Sequence, residues 1–496
     1  MVSTLAFLIL LLIPALANAQ NNVNLTWDAS LSQVIGYNVY RGVLLNGPFT
    51  KLNSALIVPT NYTDTTAQSG QTYYYVTTAV NSQGVESPYS NETEAVISYG
   101  GSGSENALYS FTGSGGDPKL PYAALVFDKA GNLYGTTEFG GTSNQGTVFE
   151  VVPQSDGSWL ESVLYSFTGN ADGGQPHGSL IFDSAGNLYG TTNFGGNTSC
   201  TQGCGTVFKL SPASGGWTES VLYAFTGGAD GGQPSSRLLF DATGNLYGTT
   251  VLGGNVGSTC SSGCGTAFEL APASGGTWKE SVLYAFSGTT DGSLPCDGLT
   301  FDPSGNLYGT ASSGGTSASG VVFKLTPASG GGWTESVLYS FTGASDGKYP
   351  YGDLIIDATG NLYGTASQGG ASQNYGLVFE LRRRQNGQWR EKVLHAFFNT
   401  PSANPVAGLV MDATGNLYGT TMLGATSGFC GGGCGTLFKL APASGNWTFS
   451  VVHVFGHKPD GIHPTSDLVL DAAGNLYGTT QAGGANGAGM VFQIMH

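Results

Sequence analysis

The sequence predicts an all-β protein in which a small β-sandwich precedes a seven-bladed β-propeller. A seven-residue phrase, GNLYGTT or GNLYGTA, recurs seven times at intervals of 55 to 61 residues, which indicates a repeat architecture. Each interval holds four strand-like runs, the number found in one propeller blade. The 496 residues include 80 Gly, 25 Phe and 24 Tyr, a composition that suits short strands joined by tight turns.

The first 19 residues have the features of a secretory signal peptide. Residues 5–12 are almost wholly apolar, and Ala17-Asn18-Ala19 fits the small-x-small cleavage pattern. The apolar run is short for a membrane span, which needs about 20 residues. We therefore expect a secreted or cell-surface protein, with a membrane contact only if this segment is not cleaved.

Residues 22–98 form the predicted sandwich. The runs VNLTW, GYNVYRG and TYYYVTTAV are short, rich in Val, Tyr and Thr, and separated by turn residues. With Trp27 ending the first strand and Tyr73-Tyr74-Tyr75 in a late strand, the segment resembles a fibronectin type III domain. Residues 99–104 contain GGSGS and are predicted to be a flexible linker.

The second copy shows how one repeat is expected to fold. Residues 179–182 predict a buried first strand, and Asp183 to Asn187 a turn in which the Asp carboxylate accepts backbone N–H groups. Residues 188–192, 206–210 and 217–225 predict the remaining strands. Six Trp residues stand at the start of the fourth strands, a register that indicates packing rather than ligand binding.

The repeat region, residues 105–496, starts and ends out of phase. Its first run, residues 107–111, matches the fourth strand of other copies, and its last run, residues 491–494, matches the third strand. Pairing the two would complete the last blade and leave no exposed sheet edge. We therefore expect a ring that is closed by its own first strand.

The motifs LYSF, LIFD-x-x-GNLYGTT-x-x-GG and GTVFKL together resemble the Gloeo/Verruco (GloVer) tandem repeat of secreted bacterial proteins. The resemblance covers residues 105–496. It implies a bacterial surface or secreted protein, and it implies no established catalytic activity.

Six of the seven cysteines form C-x-x-x-C pairs in the loop between the second and third strands of copies two, three and six. In an exported protein such pairs predict disulfides that hold extended loops. A zinc site shared by copies two and three is the alternative, but copy six has the same motif without a cysteine-bearing neighbour. Cys296 is left as a free thiol. The predicted pairs are Cys200 with Cys204, Cys260 with Cys264, and Cys430 with Cys434.

The copies differ mainly in the loops on one face of the predicted propeller, where a rigid frame usually carries its binding residues. Polar and aromatic side chains near the start of each first strand form the candidate ligand site, and a mixture of this kind suits sugar recognition. The candidates are Tyr122, His177, Arg237, Asp297, Tyr351, Asp353, His463 and Asp467.

Asp-Gly pairs recur in the loops between copies, and a ring of carboxylates there could bind Ca²⁺. The alternative is that each Asp simply stabilises its turn. A separate metal group could form from His457, Asp460 and His463. No other cofactor is expected. The candidate calcium ligands are Asp172, Asp230, Asp291, Asp346 and Asp460, with Asp117 slightly offset.

The net charge of −16 argues against nucleic acid and anionic membrane surfaces as partners. No catalytic motif stands out, so no catalytic residue is assigned. We expect a monomeric binding protein that recognises an extracellular glycan or a surface protein. One alternative is a glycoside hydrolase or polysaccharide lyase, because the carboxylate pairs of such enzymes need no fixed spacing in the sequence. The other alternative is a purely structural or adhesive surface protein.

Overall fold

The computed structural model describes residues 10–12, 23–30, 32–43, 47–67, 72–96, 105–257, 259–370, 374–398, 402–424, 430, 433–443, 445–456 and 459–495. The chain divides into two compact units, Met1–Ser102 and Gly103–His496. The predicted linker and most of the predicted signal peptide lie outside the described residues. In the described part, no helix has the length and apolar character needed to cross a bilayer.

The first unit is built from two antiparallel sheets, with strand orders β1-β2-β5 and β4-β3-β6-β7. Alternate residues of β2, such as Leu25, pack with Tyr37 and Tyr75 in one core. Asp64, at the end of β5, accepts hydrogen bonds from Arg41 and from the Tyr75 hydroxyl at 2.7 and 2.8 Å. The strands are β1 (Leu10–Leu12), β2 (Val23–Trp27), β3 (Gly36–Gly42), β4 (Thr50–Lys51), β5 (Asn61–Asp64), β6 (Thr72–Val80) and β7 (Thr93–Val96).

The described residues of the second unit form seven antiparallel sheets, here numbered 1 to 7 in chain order. Sheet 1 has β9 (Lys119–Pro121), β10 (Val126–Phe127), β11 (Leu133–Phe139), β12 (Thr147–Pro153) and β13 (Trp159–Ser166). Sheet 2 has β14 (Ile181–Phe182), β15 (Leu188–Thr192), β16 (Thr206–Ala213) and β17 (Gly216–Ala224). Sheet 3 has β18 (Leu239–Phe240), β19 (Leu246–Thr250), β20 (Thr266–Pro272) and β21 (Trp278–Ala285), with a 3₁₀ turn at Ser274–Gly276.

Sheet 4 has β22 (Thr300–Phe301), β23 (Leu307–Ala311), β24 (Val321–Pro327) and β25 (Trp333–Ser340). Sheet 5 has β26 (Lys348–Ile356), β27 (Leu362–Gln368), β28 (Leu377–Arg383) and β29 (Trp389–Ala396). Sheet 6 has β30 (Val410–Met411), β31 (Leu417–Thr421), β32 (Thr436–Ala443) and β33 (Asn446–Val454). Sheet 7 has β34 (Gly461–Pro464), β35 (Val469–Leu470), β36 (Leu476–Gly483) and β37 (Met490–Ile494), and it is completed by β8 (Glu105–Ser110).

The turn that opens each GNLYGTT phrase is held by one aspartate. In sheet 2, Asp183 accepts the backbone N–H groups of Ala185 and Asn187 at 2.9 Å, the Asn187 side-chain amide at 2.6 Å and the Tyr189 hydroxyl at 3.0 Å. Gly186 has a φ of 85°, which the turn requires and which residues with a Cβ rarely adopt. The phrase therefore encodes a self-contained turn followed by the second strand.

The second glycine of the phrase makes room for the core. A Cβ on Gly190 would lie 2.6 Å from the ring of Phe208, a fully buried residue of the third strand. The Phe208 ring also meets Phe167, from the end of the fourth strand of sheet 1, edge to face at 5.1 Å. This Phe–Phe contact recurs between each sheet and the next at 5.0 to 5.2 Å.

The seventh sheet packs against both the sixth and the first. Strand β8 pairs with β37 from Ser110 opposite Met490 to Glu105 opposite Ile494, as the sequence predicts. Phe111, directly after β8, contacts Phe149 of sheet 1 at 5.1 Å. Seven hydrophobic clusters thus lie between successive sheets, including one between sheets 7 and 1.

The first strands are shorter than expected. The sequence predicts a strand over residues 179–182, whereas only Ile181–Phe182 pair with β15. The preceding residues turn toward the neighbouring sheets instead, and the Ser179 hydroxyl accepts the backbone N–H of Ala124 in sheet 1 at 3.0 Å. In sheet 5 the first strand is longer, and Tyr351 within β26 pairs with Thr365 of β27. The segments at this repeat position build the site described next.

Candidate functional site

One cavity of about 310 Å³ receives residues from all seven sheets of the second unit. Its lining comes from the segments that lead into the first strands or, in sheet 5, from within the first strand β26. These segments occupy the same position in each repeat. We call it the central cavity. It is lined by residues 122–124, 177–179, 235–237, 296–298, 351–353, 406, 465 and 467.

Seven of the eight predicted ligand-site residues line the central cavity: Tyr122, His177, Arg237, Asp297, Tyr351, Asp353 and Asp467. His463 is not in its lining. His463 lies in β34, half-buried, and burial lowers the pKa of its imidazole. Sequence position in the repeat was enough to group these side chains, because equivalent loops of a symmetric frame converge.

An ion pair crosses the central cavity between sheets 3 and 5. The Nε of Arg237 lies 2.7 Å from Oδ2 of Asp353, and the charge of Asp353 is the main cause that raises the pKa of Arg237. Asp353 also accepts the backbone N–H of Gly298 at 2.6 Å. A Cβ on Gly298 would lie 2.7 Å from that carboxylate, so a glycine is needed there.

Two further carboxyl groups in the central cavity are harder to ionise. Burial, and then the charge of Asp353, raises the pKa of Asp297 to about 8. The same two causes, in the same order, raise the pKa of Asp467 to about 7. Asp467 accepts the backbone N–H of Gly408, and the Thr310 hydroxyl donates to Asp297 at 3.3 Å. At neutral pH the cavity therefore offers both carboxyl donors and a carboxylate acceptor.

The aromatic part of the central cavity is a stacked pair. The rings of Tyr122 and His177 lie 4.9 Å apart with an angle of 19° between their planes. Burial is the main cause that raises the pKa of Tyr122 to about 12, so its hydroxyl stays a donor at physiological pH. Nε2 of His177 has no hydrogen-bond partner and lies 3.6 Å from Glu138.

The three predicted disulfides are present, linking Cys200 to Cys204, Cys260 to Cys264, and Cys430 to Cys434. Cys296 is a free thiol in the wall of the central cavity. Burial is the main cause that raises its pKa, so Cys296 has little thiolate character. The local pairings agree with the disulfide interpretation rather than with a shared zinc site.

The Asp-Gly carboxylates serve their own turns. Asp172 accepts the backbone N–H of Thr168 at 2.8 Å and the Tyr165 hydroxyl at 3.1 Å. Asp230, Asp291 and Asp346 repeat this arrangement in the following sheets. Among the described residues these four do not converge on a common metal site. The turn interpretation therefore accounts for them.

Asp460 differs from the other Asp-Gly aspartates because it lies in a potential metal-binding group with Glu105 and His453. The sequence-based group of His457, Asp460 and His463 includes His457, which lies outside the described residues, and His463 does not belong to the group of Glu105, His453 and Asp460. Glu105 and His453 were missed by the sequence analysis. The sequence does hold a signal for this group. When the fourth strands are aligned, His453 stands at a position that is Tyr in most other copies.

A family model described as the Gloeobacter/Verrucomicrobia repeat matches residues 61–302 and 256–492. An amylopullulanase of Thermoanaerobacter thermohydrosulfuricus is 36% identical over 78 residues, which are 16% of this chain. The chain spans only 5% of the length of that enzyme.

Two solved structures are similar to parts or most of the chain. An Fn3-like protein from Clostridium thermocellum is 40% identical, with a TM-score of 0.17, and the match covers 18% of this chain and 92% of that one. Rhamnogalacturonan lyase YesW is 14% identical with a TM-score of 0.26, covering 97% of this chain and 81% of that one. TM-scores this low support no conclusion about function.

Proposed function

Since the chain belongs to the Gloeobacter/Verrucomicrobia repeat family, we propose that it is an exported seven-bladed β-propeller that binds a neutral extracellular glycan in its central cavity. The observation that carries the proposal is the convergence of residues from all seven sheets on one cavity, with polar side chains from six of them. We propose further that the first unit is a fibronectin type III domain that acts as a spacer.

The propeller assignment is supported by the order of the sheets. Each has its strands in chain order and antiparallel, and β8 supplies the outer strand of sheet 7. The contact of Phe111 with Phe149 joins the last sheet to the first. A closed ring of this kind leaves one central opening, which is where small propellers hold ligands or ions.

Export is supported by the three disulfides, because such bonds form and persist in oxidising compartments. The pairs join residues only four apart in loops between second and third strands. They would hold these extended loops outside the cell, where no reducing pool acts on them.

A neutral glycan fits the chemistry of the central cavity. Sugar hydroxyls both donate and accept hydrogen bonds, and the cavity offers donors at Tyr122 and Asp297 and acceptors at Asp353. Asp353 already pairs with Arg237, so little free positive charge remains for an acidic sugar. A volume of about 310 Å³ lies at the small end of ligand sites and suits a glycan terminus.

A glycan array probed with the purified mature protein tests the proposal. We expect binding to neutral glycans that falls about 10-fold in Tyr351→Phe and Asp353→Asn, the loss of roughly one hydrogen bond to a buried polar group. Asp156→Asn is the matched control and should bind like the wild type. Asp156 is an exposed turn residue that does not line the cavity.

A wild type that binds no glycan would overturn the proposed function. Binding that survives unchanged in both cavity variants would keep glycan recognition but remove it from the central cavity. Because Tyr351→Phe deletes only a hydroxyl, its thermal melting should match the wild type, which separates lost binding from lost folding.

One observation favours a second candidate, a carbohydrate-cleaving enzyme. Asp297, with a pKa near 8, can hold a proton at neutral pH, while the neighbouring Asp353 is paired with Arg237. Two carboxyl groups in such different environments are the usual arrangement for acid and base roles. Incubation with a polysaccharide panel should then release new reducing ends or unsaturated products, lost in Asp297→Asn; no product from any substrate would remove this candidate.

A further inference from the structure

The contacts between successive sheets repeat a trio of side chains. A Tyr on the fourth strand of one sheet donates to the Asp of the following Asp-Gly loop, and a Glu on the fourth strand of the next sheet lies close to that Asp. In the first such pair of sheets the trio is Tyr165, Asp172 and Glu219. The same Tyr–Asp–Glu trio occurs at four more junctions, including the one between sheets 7 and 1.

The junction of sheets 6 and 7 breaks this pattern. His453 of β33 occupies the Tyr position, while Asp460 and Glu105 keep the acidic positions. At the junction of sheets 5 and 6, His395 also replaces Tyr, but there it stacks on Phe449, which has replaced the Glu, at 3.9 Å. Only at the junction of sheets 6 and 7 do the described residues combine an imidazole with two carboxylates.

The geometry of this trio is that of a ligand set. Nε2 of His453 lies 3.4 Å from Oδ2 of Asp460 and 3.9 Å from Oε2 of Glu105. One ligand atom from each of the three residues lies within 4.8 Å of the others. The side chains are about 85% buried, their relative exposures being 17%, 15% and 16%.

Each residue of this trio has a polar atom without a hydrogen-bond partner, although Oδ2 of Asp460 accepts the backbone N–H of Gly456 at 2.8 Å. Nε2 of His453, Oδ1 of Asp460 and Oε1 of Glu105 are all buried and have no hydrogen-bond partner. At the Tyr junctions the phenolic hydroxyl donates to the Asp, while Oε1 of the Glu is unpartnered there as well. What distinguishes the junction of sheets 6 and 7 is that Nε2 of His453 and Oδ1 of Asp460 are also unpartnered. Buried polar atoms without a partner are costly, and this set is what a missing cation would leave.

We propose that Glu105, His453 and Asp460 bind one divalent transition-metal ion, with Zn²⁺ the best fit. An imidazole nitrogen and two carboxylate oxygens are ligands that zinc accepts at about 2.0–2.2 Å, with water as a fourth. Calcium fits less well because it prefers six to eight oxygens. The ion would join β8, β33 and the loop before β34.

The position gives the ion a structural role that is independent of ligand binding in the central cavity. Glu105 is the first residue of β8, the strand that completes sheet 7. Holding it to β33 of sheet 6 would fix the first residue of the strand that completes sheet 7. The site therefore acts as a clamp on the closure of the repeat array.

The test uses the full chain, freed of affinity tags and stripped of metal with a chelator. Zn²⁺ titrated in a calorimeter should bind at one ion per chain and raise the melting temperature, and Co²⁺ should give a visible d–d spectrum. Ca²⁺ and Mg²⁺ should bind at least 10-fold more weakly than Zn²⁺.

The decisive variant is His453→Tyr, which restores the side chain used at five other junctions and should therefore fold. It should lose at least 10-fold in Zn²⁺ affinity, as should Glu105→Gln. His395→Tyr and His463→Gln are the matched controls and should bind like the wild type.

The proposal is overturned if the wild type takes up no stoichiometric Zn²⁺, or if His453→Tyr binds Zn²⁺ as tightly as the wild type. Loss of binding in His463→Gln with retention in His453→Tyr would also overturn it, since the ion would then belong to a different set of ligands.

Discussion

The aspartates of the GNLYGTT turns and those of the central cavity have opposite electrostatics. Burial opposes ionisation in the turns too, but hydrogen bonds from Asn416 and Thr414 outweigh it and lower the pKa of Asp412 to about 2. In the cavity, burial and the charge of Asp353 raise the pKa of Asp297 to about 8. The difference lies in the balance: the donors of the turn outweigh burial, whereas at Asp297 the hydrogen bonds from Gly352 and Thr310 do not offset burial and the charge of Asp353.

The same contrast distinguishes scaffold from site. A turn aspartate meets only residues up to six positions later, so every copy can repeat it unchanged. A cavity aspartate meets residues from other sheets, as Asp353 meets Arg237 across 116 positions. Local hydrogen bonds therefore stabilise the frame, and long-range contacts are free to diverge between copies.

The largest expected effect is a stability maximum near pH 4 to 5. Burial, followed by the charge of a nearby Asp, raises the pKa of five junction glutamates to about 7. The folded state then holds protons that the unfolded state has lost, so stability falls as pH rises from about 4.5 to 7. The turn aspartates act below that window: their lowered pKa values mean that stability is lost as pH falls below about 4.

Urea unfolding at pH 3, 4.5 and 7.5 checks this maximum. We expect a drop on the order of a few kcal/mol on each side, reduced because the glutamates are only about half-buried. A free energy of unfolding that is flat from pH 4.5 to 7.5, measured at constant ionic strength, would contradict the raised pKa values.

The second effect comes from removing one turn aspartate. Asp241 accepts hydrogen bonds from Thr243, Asn245 and Tyr247, and Asp241→Ala leaves the backbone N–H groups of Thr243 and Asn245 without this acceptor. The Tyr247 hydroxyl keeps Glu269 as a partner. We expect a loss of about 2–3 kcal/mol in the free energy of unfolding. Asp156→Ala, whose exposed carboxylate bonds only Ser158, should cost less than about 0.5 kcal/mol. Equal losses would show that the turn network does not hold the sheet.

Sequence was sufficient for the frame because its interactions are local. The seven phrases predicted the seven sheets, and the offset first run predicted that β8 pairs with β37. It also grouped seven cavity side chains, since the same loop position recurs around the array. It failed at Glu105 and His453, which are 348 positions apart and meet where β8 completes sheet 7 beside sheet 6. The ion pair of Arg237 with Asp353 was missed because repeat position groups cavity residues but does not show which two side chains meet across the cavity.

A smaller effect, a gain in stability rather than a loss, is expected from a substitution at Asp297 in the central cavity. Asp297→Asn keeps a neutral polar group in place of a carboxyl whose pKa is raised to about 8. The wild type loses stability as pH rises from about 4 to 8, because the folded state keeps this proton while the unfolded state releases it. The variant has no such proton and should not show this loss. The variant should therefore be more stable at pH 8 by about 1–2 kcal/mol, and equal to the wild type at pH 4. Destabilisation at both pH values would indicate that the carboxyl is needed for packing.

The smallest expected change in stability is at Cys296, a free cysteine in the wall of the central cavity. Cys296→Ser keeps the size of the side chain, so the free energy of unfolding should change by less than about 1 kcal/mol. The thiol itself should react slowly with a thiol reagent at pH 8, because burial raises its pKa and leaves little thiolate. A bound glycan should slow the reaction further by covering the cavity, whereas Zn²⁺ should leave the rate unchanged. A fast reaction that neither additive alters would place Cys296 outside the site.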